Sequence, residues 1–140
     1  VKLVTEVPVL HRYVVMLQKE VAQRIVAQPG SKDYGAISVL FSLYTNSKLQ
    51  FDVSRNCFHP QPKVTSSVVT IQREALIDEA IRFQAFEISK TAFQQKRKKI
   101  RSSLKTILSE SQLEELGLDP NSRAEELSPE DFYKIAEVSI

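Results

Sequence analysis

The chain has 140 residues, a net charge of +2 and 26% charged residues, a size and balance that suit one domain, or part of one with a small second unit. No apolar run approaches the ~18 residues that span a bilayer and no signal peptide is visible, so a membrane protein and a secreted one are not expected. Cys57 is the single cysteine and the two histidines have no ligand spacing, so no internal disulfide and no metal site are expected, and a reducing cytoplasm is the natural setting.

Residues 10–17 form a mostly apolar, Val-rich run that predicts a buried strand of the parallel type. Residues 18–28 predict a helix with Val21, Ile25 and Val26 on one side, stopped by Pro29-Gly30. A polar loop over 30–35 follows. Residues 36–44 predict a second helix, although so apolar a run also suits a strand. Residues 49–53 alternate as a strand, and residues 64–71 are β-branched and predict a buried one. No crossover helix fits between these last two, so they are expected to pair antiparallel. Strand, helix, helix, strand, strand is the order expected of the closing half of an open α/β sheet.

After about residue 74 the pattern changes, and residues 1–74 and 75–140 are read as two units. Phe86, Phe93, Ile100 and Ile107 recur every seven residues, with Leu104 on the same stripe, the mark of amphipathic helix. A continuous helix would carry Arg97 close to that stripe. The expectation is therefore a break near Gln94-Gln95, with the basic run opening a second helix. A short helix is expected to end at Gly117 as a left-handed cap. Ser128-Pro129-Glu130-Asp131 has the composition of a helix start, and Phe132, Ile135 and Ala136 would bury that helix's face. The second unit is thus a small all-helical domain.

Residues 75–140 carry ten basic and twelve acidic groups, yet Lys90, Lys96, Arg97, Lys98, Lys99, Arg101 and Lys105 fall in one stretch, and residues 88–109 contain no acid. A charge run is usually a solvated face. Here no acids interleave to form i, i+4 pairs, and repulsion among seven cations serves no structural purpose. RNA phosphates would offset it by counterion release.

The run Phe58-His59-Pro60-Gln61-Pro62-Lys63 presents a different chemistry. Each proline fixes its own φ, lacks an N–H and pushes its predecessor into an extended conformation, so the loop is stiff. It holds Phe58 at its entrance beside the strand that follows. The ring could be ordinary packing or a platform for a flat ligand such as a base. Lys63 could touch a phosphate or simply cap the loop. Gln18, Lys19 and Glu20 lie at the carboxyl end of the first strand, where α/β sheets place ligands. Glu20 suits a first-turn helix acid equally well. His11, His59, Ser66 and Ser67 have no partner at a readable spacing and suggest no acid–base pair or triad.

The run F-H-P-Q-P-K-V-T-S-S-V-V, residues 58–69, resembles the F-x-P-x-P-K-V-x-S-x-V-V signature of the rRNA adenine dimethyltransferases. Residues 16–21, 29–35, 96–104 and 123–128 resemble the small-subunit branch of that family, in the family's order. The resemblance implies the C-terminal part of a Rossmann-like, S-adenosylmethionine-dependent methyltransferase sheet followed by a helical rRNA-binding domain. It implies an intact enzyme that dimethylates two adjacent adenines near the 3′ end of small-subunit rRNA, on the pre-mature small ribosomal subunit. Phe58 would stack on the target adenine, and Lys96, Arg97, Lys98 and Arg123 would contact rRNA; Lys99, Arg101 and Lys105 of the same basic run, and Lys63 of the loop, are the further RNA-binding candidates. The family's glycine-rich cofactor loop and Asn-Leu-Pro-Tyr motif are absent, and the chain opens on Val1 rather than Met. A back half with no catalytic or cofactor residues of its own, inactive alone, is therefore expected. Two alternatives stay open: the sister branch that methylates large-subunit rRNA, which residues 29–35 and 123–128 argue against, and a non-enzymatic RNA-binding module of ribosome assembly.

Overall fold

Apolar residues spaced by two and by three or four set the architecture of this chain, seen in a computed structural model that describes residues 2–7, 9–74 and 78–140. Strand β1 (Arg12–Gln18) leads directly into helix α2 (Lys19–Val26), preceded by a single helical turn, α1 (Lys2–Thr5). Helix α3 (Ala36–Tyr44) runs without a loop into β2 (Thr45–Val53), and β3 (Ser66–Arg73) follows. Thr45 makes that junction: its N–H and its hydroxyl both donate to the Phe41 carbonyl, closing the helix while its backbone is already extended.

The three strands lie in the order β1-β3-β2, with β3 antiparallel to both neighbours. The predicted antiparallel pairing of the last two strands is thus present. β1 and β2 run the same way, and their carboxyl ends, Gln18 and Val53, both sit opposite Ser66 at the start of β3. A register shift between Leu49 and Phe51 bends β2.

β1 departs from the expectation of a strand buried on both faces and of the parallel type. Its described neighbour, β3, is antiparallel. Tyr13, Val15 and Leu17 pack against the helices, whereas Val14 and Met16 are 68% and 50% exposed. An unbroken apolar run does not say which of its faces is covered. β2 starts four residues earlier than its alternation suggests, because Thr45-Asn46-Ser47-Lys48 is polar on both faces yet pairs in full register. β3 is displaced two residues along: Val64 stays exposed in the loop, and Arg73 joins the strand with its guanidinium buried on the Val4 carbonyl at 2.7 Å.

The helical part comprises α4 (Glu79–Gln94), α5 (Ile100–Ser103), α6 (Glu110–Glu115) and α7 (Pro129–Ser139). The boundary between 74 and 75 abuts residues 75–77, which lie outside the described residues. Phe86, Phe93, Ile100 and Leu104 are buried as their spacing requires, and the helix breaks after Gln94. Gly117 takes φ +75° beyond α6, the left-handed cap. α7 begins with a reciprocal cap: the Asp131 N–H donates to Ser128 Oγ at 3.1 Å, and the Ser128 N–H donates to Asp131 Oδ2 at 2.9 Å. Phe132, Ile135 and Ala136 are fully buried against α4 and α3. Ser128→Ala removes this cap and is expected to cost about 1 kcal/mol, measured as a lower urea midpoint with an unchanged slope.

One hydrophobic core runs through both parts, from Val4 and Val69 to Ile135 and Ala136. Tyr34, from the loop after α2, is its keystone. The ring is 2% exposed, meets Phe93 edge-on at 5.7 Å, and donates its hydroxyl to the Leu127 carbonyl at 2.8 Å. Burial, with Glu130 and Asp131 nearby, holds the phenol far above its ordinary range, so it stays a donor. Beside it the Gly30 N–H donates to the Glu125 carbonyl at 2.8 Å, with Gly30 at φ +83°.

Candidate nucleic-acid interface and aromatic loop

Lys96, Arg97 and Lys98 sit in the turn between α4 and α5, Lys99 is the N-cap of α5 and Arg101 lies within it, so the basic run fills the break and opens a second helix of a single turn. Lys96, Arg97 and Lys98 are exposed there, between buried Phe93 and buried Ile100. The turn explains itself physically. A continuous helix would rotate Arg97 toward the apolar stripe, whereas a break lets Phe93 and Ile100 stay inside and every cation stay in water. Lys96 Nζ lies 6.0 Å from the centre of the Phe93 ring, so its charge rests on an aromatic face rather than on an acid.

Arg123, more than twenty residues further on, is brought to this turn by the backbone. Lys99 and Arg123 form an antiparallel bridge, and the Ile100 and Arg101 N–H groups donate to the Ser122 and Pro120 carbonyls at 2.8 and 3.1 Å. The cations are not equivalent. Lys99 Nζ donates to Asn121 Oδ1 at 2.9 Å, and Arg101 pairs with Glu110 at 3.2 Å. Lys90 pairs with Glu87 at 2.6 Å. Among the described residues Lys96, Arg97, Lys98, Lys105 and Arg123 have no ion-pair partner, which leaves their charge available to an external anion.

Phe58 and Lys63 lie elsewhere, in the loop 54–65 at the carboxyl ends of β1 and β2. Phe58 is half-buried and Lys63 exposed without an ion pair among the described residues. The loop is braced from within. Ser54 Oγ accepts from the Asn56 N–H across a 3-10 turn over Arg55–Cys57, and Gln61 Nε2 donates to Asn56 Oδ1 at 2.6 Å. The His59-Pro60 peptide is cis. Cys57, next to Phe58, is exposed and free.

Beneath the loop is a group that local sequence gave no reason to assemble. Lys19, the first residue of α2, reaches across to Asp52 near the end of β2, Nζ to Oδ2 at 2.7 Å. Ser67 Oγ, fully buried on β3, donates to Asp52 Oδ1 at 2.7 Å. The hydrogen bonds from Lys19 and Ser67 hold the Asp52 carboxyl below its usual range. The Lys19 N–H donates to the Thr65 carbonyl at 2.9 Å, at the returning end of the loop. Glu20 takes no part: it pairs with Arg24 one turn along α2 at 2.7 Å, as a first-turn acid does.

The ribosomal RNA small subunit methyltransferase A of Protochlamydia amoebophila is 41% identical over 125 residues, covering 86% of this chain and 44% of that protein. The protein of the same name from Mesorhizobium japonicum is 45% identical over 120 residues, covering 86% and 43%. The chain thus spans somewhat under half the length of these relatives. In fold it is similar to a dimethyladenosine transferase from Plasmodium falciparum, with a TM-score of 0.80 at 22% identity over 96% of this chain and 58% of that one. It is more distantly similar to the 23S rRNA methyltransferase ErmE, with a TM-score of 0.67 at 21% identity over 97% and 57%. The three strands and their helices therefore share the α/β, Rossmann-like fold of part of these structures. A sequence model of the ribosomal RNA adenine dimethylase family matches residues 1–140. Matched from its first residue to its last, the chain belongs to the ribosomal RNA adenine dimethylase family.

Proposed function

We propose that this chain is the base-holding and rRNA-docking half of a small-subunit rRNA adenine dimethyltransferase. The intact enzyme transfers methyl groups from S-adenosylmethionine to the exocyclic amines of two adjacent adenines near the 3′ end of small-subunit rRNA. It acts in the cytoplasm on the pre-mature small ribosomal subunit. The family match over all 140 residues carries this reading, and the names of the relatives favour the small-subunit branch over the large-subunit one.

The roles follow from chemistry. An adenine inside a helix cannot present its amine, so it must leave the stack and be held elsewhere. The Phe58 ring, in a braced loop at the carboxyl ends of β1 and β2, supplies an aromatic face for it. Such stacking is worth about 1–3 kcal/mol per base. Lys96, Arg97, Lys98, Lys105 and Arg123 meet phosphates, with Lys99 and Arg101 shaping that surface through Asn121 and Glu110. Lys63 neutralises a phosphate next to the held base.

The methyl donor does not fit the residues present. A dinucleotide-type cradle needs a glycine-rich turn between a strand and a helix N-terminus. The three glycines, Gly30, Gly35 and Gly117, all lie in loops that follow helices. On this reading the chain holds the substrate base and the ribosomal scaffold and offers the methyl donor no glycine-rich turn between a strand and a helix. Calorimetric titration with S-adenosylmethionine is expected to show no saturable heat, while the same chain co-sediments with small-subunit particles lacking the dimethyladenines. Saturable cofactor binding, or failure to co-sediment at low salt, overturns the assignment.

A further inference from the structure

The Phe58 loop leaves the sheet after β2 and re-enters it at β3, and one residue touches both of its stems. Lys19 binds the outgoing stem through its side chain, on Asp52, and the returning stem through its main chain, on the Thr65 carbonyl. The first contact is anchored below by buried Ser67, whose hydroxyl has Asp52 as its partner. We propose that Lys19 is the positioning residue of the aromatic loop: from the start of α2 it clamps the two stems together and so fixes where Phe58 stands. The inference rests on the reading of Phe58 as the base-holding ring, though its test does not.

Two observations separate this from an ordinary surface ion pair. Lys19 and Asp52 side chains are 44% and 41% exposed, so the pair contributes little to global stability. Its value is geometric. β1 and β2 are not neighbours; β3 lies between them, and the ammonium spans that gap at the end of the sheet from which the loop departs. The loop's inner brace, Gln61 on Asn56, makes it a unit that moves as a whole. A unit rigid inside still pivots on its stems; the β2–β3 ladder joins them at Val53 and Ser66, and Lys19 adds a tie to each of them from α2. The Glu20–Arg24 pair beside it has the same length but is more exposed, at 71% and 57%, and makes no hydrogen bond to either stem.

Cys57 allows a direct test, because it is the free cysteine next to Phe58 and takes a nitroxide label without a second substitution. In the unsubstituted chain the label spectrum is expected to be broad. Lys19→Met and Asp52→Asn should each add a sharp component from nanosecond motion. Glu20→Gln should leave the line shape unchanged, and all melting temperatures should stay together. An unchanged spectrum in Lys19→Met overturns the proposal, and so does equal sharpening in Glu20→Gln, which would mean general loosening of α2. Should Lys19→Met melt early, Asp52→Asn, which keeps side-chain size, decides alone. The readout needs neither rRNA nor methyl donor, so its failure is separate from any failure of the functional reading.

Discussion

Replacing Lys96, Arg97 and Lys98 together by glutamate is expected to abolish binding to small-subunit particles at moderate salt while leaving the fold intact. All three side chains are exposed in a turn and have no ion-pair partner among the described residues, so reversal breaks no internal ion pair and costs only the contact of Lys96 with the Phe93 ring. Each phosphate contact adds about 0.9 to the slope of log affinity against log salt. Losing three should flatten that slope by roughly 3. Between roughly 50 and 200 mM salt, those contacts alone account for about a 40-fold change in affinity. Lys99 and Arg101 are left in place because Asn121 and Glu110 hold them. A salt series by fluorescence anisotropy, wild type against triple variant, gives the answer. Equal slopes would mean a solvated face, and recognition would then fall to the aromatic loop.

The second large effect concerns folding. Phe93→Ala should destabilise the chain by about 3–5 kcal/mol, a large share of the 5–15 kcal/mol typical of a domain. The Phe93 ring sits between Tyr34 at 5.7 Å and Phe132 at 6.1 Å and is 9% exposed. Its removal opens a cavity where the α/β part meets the helices and strips Lys96 of its aromatic support. Thermal unfolding should fall by roughly 10 °C or more. Tyr34→Phe keeps the ring and loses only the bond to the Leu127 carbonyl, so a smaller loss of about 1–3 kcal/mol is expected. Losses of equal size would mean that the hydroxyl, not the packed ring, carries the contact.

What the sequence discloses here is local, and what it conceals is long-range. The seven-residue spacing of Phe93 and Ile100, set against the charge on Arg97, is enough to place the helix break. Ser128-Pro129 and Gly117 announce their caps because each satisfies a particular backbone requirement. The antiparallel pairing of β2 with β3 follows from a connection that has no room for a crossover. The bare face of Val14 and Met16 is not legible, since an apolar side chain carries no record of what covers it. Nor is the length of β2, whose first turns of sequence are polar. The candidate site divides the same way. Phe58 and the basic run stand out as runs. The meeting of Arg123 with Lys99, and of Lys19 with Asp52 and Ser67, depends on three strands and two loops arriving together, and no periodicity encodes that. The same holds for the partners that withdraw Lys99 and Arg101 from the free cations, since Asn121 and Glu110 are met only after the chain turns back.

On the proposed reading, the keystone at Tyr34 sets how substrates would be told apart. Its ring and hydroxyl, with the Gly30 bond to Glu125, fasten the sheet that bears Phe58 to the helices that bear the cations, through a single core. The molecule therefore behaves as a caliper with its jaws locked. On that reading, an RNA seated on the cations would offer its base to Phe58 only when the span between its backbone and that base matches the gap. Substrates would be selected by measure, and a strand with the right bases at the wrong reach would be held and left unmodified.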